Sequence, residues 1–430
     1  MWRVFPAARI RAVRAMPSAT EPGGIPASAP PAGDPAMPEL RLLPGRHKRV
    51  RAGHPWVFSN EIAMDARARG LPPGGLVRLA AANGEFVALA GFNPRTLIAA
   101  RVLARDPAAR IDRAFLARRL AAALELRERL HPGGFYRLVH AEADGLPGVV
   151  VDRFGDLVSV QLNTATAELL RADLLAALQE LLAPRRIVLR NDAPSRALEG
   201  LDLAVETPGA ASDDDGRIEI RENGAVFLAD LRAGQKTGWF FDQRENRARV
   251  AGLSAGARVL DAYCYAGGFG VLAALRGARE VVLLDRSEAA LDLATAAARR
   301  NGVGERCRAL RGDAFAELER LGAAGEIFDV VIADPPAFAK SRKDAGAAAR
   351  GYRKLARLCA ALTAPGGILF VASCSHHMET SAFAAELARG LADAGRNGRI
   401  LASVGAAMDH PVHPHLPESA YLKGQMLQLD

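Results

Sequence analysis

Short apolar runs separated by turn-forming residues set the rhythm of this 430-residue chain. From about residue 240 onward the runs at 258–262 (RVLDA), 280–285 (EVVLLD), 328–334 (FDVVIAD) and 367–372 (GILFVA) are nearly continuous. That pattern predicts parallel strands covered by helices on both faces. Ala- and Leu-rich stretches at 288–300, 346–362 and 380–394 supply the crossover helices, so residues 231–430 read as a doubly wound, Rossmann-like α/β domain. Upstream, runs at 56–58, 75–79, 86–90 and 98–103 alternate with Pro-Gly, Asn-Gly and Asn-Pro breakers and predict a small β-rich domain over 38–108. A helix over 111–130, strands near 136–139, 148–152 and 157–162, a helix over 165–182, and strands at 187–190 and 217–230 make a central α+β domain over 109–230. Asn223-Gly224 predicts a tight hairpin turn. Residues 1–37, rich in Ala, Pro, Gly and Ser, read as a disordered extension.

Composition narrows the classes. Arg, Asp or Gly interrupts every apolar stretch well before the ~18 residues a membrane span needs, so a soluble protein is expected. Cysteines stand only at 264, 307, 359 and 374, without C-x-x-C or zinc-finger spacing. This predicts a reducing, cytoplasmic setting, no metal, and a cysteine that acts alone if it acts. Residues 38–105 hold eleven Arg/Lys against four Asp/Glu, a net of +7 out of the whole-chain +8. Such concentration suits a module that meets a polyanion such as RNA, with the densest run at Arg46, Lys48, Arg49 and Arg51. Those groups would position RNA rather than specify a base. The oligomeric state is not set by the sequence, and a homodimer is left open.

Carboxylates recur where the predicted strands end. Asp261 opens the loop Asp261-Ala-Tyr263-Cys-Tyr-Ala-Gly267-Gly268-Phe-Gly270, whose glycines allow close backbone approach to a ligand. Asp285 is placed to accept ribose hydroxyls and Asp313 an adenine amino group, with Phe315 flanking the ring. The dinucleotide fingerprint G-x-G-x-x-G is missing, and no G-x-x-x-x-G-K-[ST] cradle for a triphosphate occurs. A nucleoside cofactor without phosphates fits better, and S-adenosylmethionine is the natural candidate.

The predicted strand at 328–334 ends in Asp334-Pro335-Pro336-Ala337-Phe338, followed by Lys340. Asp334 can bond a nucleobase edge, Phe338 offers a stacking face, and Lys340 suits phosphate. The predicted strand at 367–372 leads into Ser373-Cys374-Ser375. Cys374 reads either as a small buried hydrophobe or as a nucleophile. In the second role its thiolate adds to carbon 6 of cytosine and makes carbon 5 reactive. His376 or His377 beside it reads as a helper or a bystander.

Together these motifs resemble the bacterial class I methyltransferases of 23S ribosomal RNA that make 5-methylcytosine, over roughly residues 38–430. The resemblance also rests on residues 51–61 (RAGHPWVFSNE), 141–148 (AEADGLPG), 235–244 (QKTGWFFDQR) and 421–424 (YLKG). It implies an N-terminal PUA domain, Cys374 as nucleophile, a pocket lined by Asp261, Asp285, Asp313 and Asp334, and a substrate of 23S ribosomal RNA or its precursor. Two other readings stay open. Asp334-Pro-Pro with Phe338 also resembles the tetrapeptide of enzymes that methylate exocyclic amines, and a non-catalytic, RNA-binding assembly factor could keep the same scaffold.

Overall fold

The computed structural model describes residues 37–208, 216–339 and 342–430. The extension expected over 1–37 lies, apart from Met37, outside the described residues, and so does Lys340.

Alternating patterning in the first module produces a five-stranded sheet in the spatial order Glu39–Arg41, Gly75–Ala80, Phe86–Phe92, Ile98–Ala104, Trp56–Phe58. Only the first pair is parallel. Val57, Val77, Leu79, Ala88, Phe92 and Ala100 bury their side chains in one core. Asp112 then caps helix Arg113–Leu130 by accepting from the Phe115 N–H at 2.9 Å. A second five-stranded sheet follows, ordered Ala204–Glu206, Arg186–Asn191, Leu157–Leu162, Val149–Phe154, Phe135–His140. The helix expected over 165–182 is two helices, Ala165–Leu169 and Arg171–Leu182. The short one seats Thr166 against Gly91 of the first module, where a Cβ has no room. The longer one packs along Arg113–Leu130.

The hairpin Arg217–Glu222/Ala225–Asp230 turns at Asn223 (φ +54°) and Gly224 (φ +80°), the conformation that Asn-Gly favours. Its apolar face (Ile220, Phe227) shares a core with Trp239 and Leu272. Asn301 pins it to the C-terminal domain by bonding both the N–H (2.9 Å) and the carbonyl (2.6 Å) of Val226.

Seven strands form the C-terminal sheet: Arg258–Ala262, Glu280–Asp285, Cys307–Arg311, Phe328–Ala333, Thr363–Ser373, Gly398–Val404 and Lys423–Leu429. Their spatial order is third, second, first, fourth, fifth, seventh, sixth, and only the seventh runs antiparallel to its neighbours. Strand order reverses between the first and fourth strands, where open α/β sheets bind ligands at the carboxyl ends. Three of the seven strands lack an apolar run in the sequence. Cys307–Arg311 and Gly398–Val404 are edges, largely exposed, so nothing demanded continuous apolar residues there. Lys423–Leu429 is buried, but it carries Lys and two Gln, and the Lys423 ammonium finds partners in the Ser375 and Met378 carbonyls. Among the described residues no helix is long and apolar enough to cross a membrane.

Candidate active site

The first strand delivers Asp261 to its end, 1 % exposed, where one oxygen accepts the Gly270 N–H at 2.7 Å. Asp261 is therefore a brace for the following helix, Gly268–Leu275, rather than a carboxylate open to a ligand. Burial, with the charges of Asp334 and Asp285, pushes it up to about 7, against the Gly270 N–H and Arg247. Between strand and helix the backbone enters the left-handed region at Tyr263 (φ +63°), Tyr265 (φ +48°) and Gly267 (φ +79°). Non-glycine residues there cost about 1–3 kcal/mol each and persist only where the surroundings impose them. Gly268 leaves room for the Arg247 guanidinium, which a Cβ would strike.

Asp285 imposes part of that strain, since it accepts from the N–H of Tyr265 (3.0 Å) and of Ser287 (2.9 Å). A carboxylate has about four acceptor sites, so two remain for hydroxyls of a ligand. Asp313 caps helix Ala314–Ala323 through the Ala316 N–H (3.1 Å) and stays exposed. Phe315 stacks toward Phe338 (centroids 6.0 Å apart), and Phe338 lies 4.6 Å from the Tyr352 ring. Phe338, expected to stack on RNA, is thus partly buried in an aromatic column beside Phe315, because Gly351 lets it lie flat against its helix.

Asp334 follows the fourth strand and Cys374 the fifth, within electrostatic reach of each other. Burial, and then the Asp242 carboxylate, push Asp334 up to about 7, against Arg247, Gln243 and Lys236. Burial also raises the Cys374 thiol; Lys236 pulls it back while Asp334 and Asp242 push it further up. The serines on either side of Cys374 are fully buried and share one partner: Ser373 Oγ lies 2.8 Å and Ser375 Oγ 3.0 Å from the Tyr352 hydroxyl. With its neighbours anchored inward, Cys374 stays half-buried just past the carboxyl end of its strand. Lys423 clamps the same turn from behind through the Ser375 and Met378 carbonyls, at 2.8 and 2.7 Å.

The raised Asp334 has a consequence for stability. Between its unfolded value and about 7 the folded protein holds a proton that the unfolded chain releases, so stability falls as pH rises through that window. Asp334→Asn removes this contribution. The melting temperature of the variant should therefore gain on that of the wild type from about pH 4 to about pH 7. A constant gap between the two melting curves across that range contradicts the assignment.

Segment 235–244 contributes groups that the sequence singled out only as a motif. Asp242, 5 % exposed, accepts from the Tyr421 hydroxyl at 2.5 Å. Despite burial, His410, Lys236 and that hydroxyl hold Asp242 below the usual carboxylate range. Lys236, at φ +50°, carries its ammonium 4.9 Å from the Phe240 ring centroid and 6.0 Å from that of Tyr421. The His376 ring stacks on the other neighbour of this site, 5.3 Å from Tyr421. Tyr421 thus gathers Lys236, Asp242 and the Cys374 turn around one ring. The signal in the sequence was the conjunction of 235–244 with 421–424, whose meaning depends on folding.

Of the other thiols, Cys264 and Cys359 sit in cores and Cys307 is half-buried: burial raises Cys359 to about 12, Cys307 to about 11, and Cys264 well above its ordinary value. In the first module, Arg46 and Lys48 are exposed, whereas Arg51 pairs with Glu85 at 3.0 Å. Arg49 differs from the expected RNA contact. Its guanidinium turns inward to Glu61 (2.6 Å), the Trp56 carbonyl and His54, because Glu61 must be neutralised where it caps the Ser59–Glu61 turn.

Residues 208–424 match the family model of S-adenosylmethionine-dependent methyltransferases, and residues 40–105 match that of PUA-like domains. The chain is 38 % identical over 396 residues to a ribosomal RNA large subunit methyltransferase I of Klebsiella pneumoniae (strain 342), covering 91 % of this chain and 98 % of the relative. It is 39 % identical over 400 residues to the protein of that name from Aeromonas hydrophila, covering 90 % and 98 %. Among solved structures, a methyltransferase complexed with SAH superposes with a TM-score of 0.78 at 20 % identity, over 91 % of this chain and all of that one. A SAM-dependent methyltransferase from Streptococcus mutans gives 0.76 at 20 % identity, with the same coverage. These two show the shared fold.

Proposed function

The chain belongs to the S-adenosylmethionine-dependent methyltransferase family that includes the ribosomal RNA large subunit methyltransferases I, and from that premise we propose that it methylates carbon 5 of a cytosine in large-subunit ribosomal RNA. One observation carries the choice of carbon 5: a half-buried thiol, Cys374, stands past the carboxyl end of its strand in electrostatic reach of Asp334, its turn anchored by Ser373 and Ser375.

The residues present fit the cofactor. Asp285 keeps acceptor sites for ribose hydroxyls, Asp313 and Phe315 flank an adenine position, and the acidic surroundings of Asp261, Asp285 and Asp334 favour a cationic sulfonium. When bound, S-adenosylmethionine supplies an electrophilic methyl group on sulfur. The chain's own task is to make an aromatic carbon nucleophilic. Cys374, once ionised, bonds to carbon 6 of cytosine and leaves carbon 5 as the nucleophilic end of an enamine. Asp334, near half protonation at neutral pH, hydrogen-bonds the ring nitrogen where negative charge grows during this addition. After carbon 5 has been methylated, loss of its proton to a base pushes the electron pair back, and the carbon–sulfur bond breaks to restore the thiolate. Lys236 is the cation beside the thiol and favours its ionised form. A paired base cannot reach this recess, so the target is flipped out or unpaired.

Mass mapping of large-subunit ribosomal RNA tests the assignment. RNA from a strain lacking the protein should miss one 5-methylcytosine, restored by the wild-type gene. An unchanged methylation map would sink the proposal.

A further inference from the structure

The sequence placed the RNA-facing charge at residues 46–51, but two of those arginines pair with carboxylates. Arg105 and Arg119 do not. Arg105, which follows strand Ile98–Ala104, donates to the Gly53 carbonyl at 2.7 Å. Arg119, on helix Arg113–Leu130, lies over the Phe115 ring at 5.2 Å. Neither has a carboxylate partner among the described residues. Both line an open cleft of about 430 Å³ between the first module, that helix and the turn Ala141–Asp144, with His413 at its rim. Both also line an adjoining hollow of about 360 Å³ that adds Arg118 and the exposed Asp106, whose carboxylate accepts the Ala108 N–H at 2.9 Å.

Two acids share the cleft wall, and each has partners beneath it. Glu142 accepts the Trp56 indole N–H at 2.7 Å and faces Arg101 at 3.7 Å. Asp144 takes both ends of the buried Arg127 guanidinium, at 2.6 and 2.7 Å, and the His140 N–H at 2.6 Å. Among the described residues, Arg105 and Arg119 are therefore the exposed charges of the cleft that lack an ion-pair partner, and they crowd one another. Burial and then Arg119 hold Arg105 below the usual arginine range, while burial, His415 and Arg105 hold His413 down. Cations kept together without a counter-ion repel, and an anion arriving between them relieves that repulsion.

We propose that this cleft grips a backbone phosphate of the RNA substrate, with Arg105 and Arg119 as a two-arginine clamp. The planar guanidinium forks match phosphate geometry. Position favours a polymer over a free anion. The turn beneath the cleft follows directly on His140, whose ring lies 6.4 Å from Tyr421 in the reactive pocket. A strand held here can continue toward Cys374. The proposal rests on RNA being the substrate.

The test uses the full chain and a large-subunit ribosomal RNA transcript, with affinity measured across a salt series. Each phosphate contact adds roughly 0.7–0.9 to the slope of log affinity against log salt. Arg105→Ala/Arg119→Ala should flatten that slope by roughly 0.7–0.9, the share of one clamped phosphate, and weaken binding about tenfold near physiological salt. S-adenosylmethionine affinity, measured by calorimetry, should stay unchanged and report that the fold is intact. Arg105→Lys/Arg119→Lys should retain most of the slope. An unchanged slope in the double alanine variant overturns the clamp. So does calorimetric binding of inorganic phosphate that the double variant loses while its RNA affinity stays that of wild type, since the cleft would then serve a small anion. Failure of the wild-type protein to bind RNA at any salt concentration is a different result: it removes the RNA reading itself.

Discussion

Cys374→Ala is expected to reduce methyl transfer by at least about a thousandfold while leaving S-adenosylmethionine binding intact, because losing a covalent nucleophile typically costs several orders of magnitude. No other thiol can substitute: Cys264 and Cys359 are buried, and burial makes the Cys307 thiol a poorer acid, at about 11. The chemistry also supplies a positive signal. With fluorine at carbon 5 of the cytosine, no proton can leave that carbon after methylation, so the carbon–sulfur bond cannot break. Wild-type protein should then form a denaturant-stable adduct with 5-fluorocytosine RNA, and Cys374→Ala should form none. Full activity in the alanine variant, with no adduct in wild type, would instead favour the exocyclic-amine reading. Asp334 and a backbone carbonyl would then orient an amino group, and Cys374 would be a spectator.

A second large effect is expected at Asp285. Its carboxylate orders the loop through the Tyr265 and Ser287 N–H groups and keeps acceptor sites facing outward. Hydrogen bonds to charged groups are worth about 1.5–3 kcal/mol each. Asp285→Ala removes the outward bonds to a ribose and also releases the strained Tyr265 conformation (φ +48°). S-adenosylmethionine affinity should drop about a hundredfold by calorimetry, given two lost bonds at the lower end of that range. Asp313→Ala should cost less, because Asp313 is exposed and a more solvated contact is weaker. Equal affinities for wild type and Asp285→Ala would remove Asp285 from the cofactor site.

Where the positions of candidate residues could be read in advance, the reason is local. Strands buried on both faces need continuous apolar residues, so four strands of the C-terminal sheet were legible, together with the residues at their ends. Asp285, Asp334 and Cys374 follow from that alone. Edge strands Cys307–Arg311 and Gly398–Val404 were not legible, since one-sided exposure imposes no such pattern. Asp261 was placed correctly but its job differs: the first strand buries it, and the nearest donor is its own helix. The pairing of Arg49 was not legible for the converse reason, because composition counts its charge but cannot show the Glu61 beside it.

By itself, the order of residues determined the periodicities, and through them which side chains stand at the carboxyl rim of the sheet. That needs only strand length and burial, both short-range in the chain. Folding alone decided which distant groups surround the thiol. Lys236 and Asp242, Tyr352, and Tyr421 come from three separate segments, and their effect on Cys374 and its turn depends on distances of a few ångströms that no spacing along the chain encodes. The same holds for Arg105 and Arg119, which meet across a cleft only after a sheet and a helix have packed.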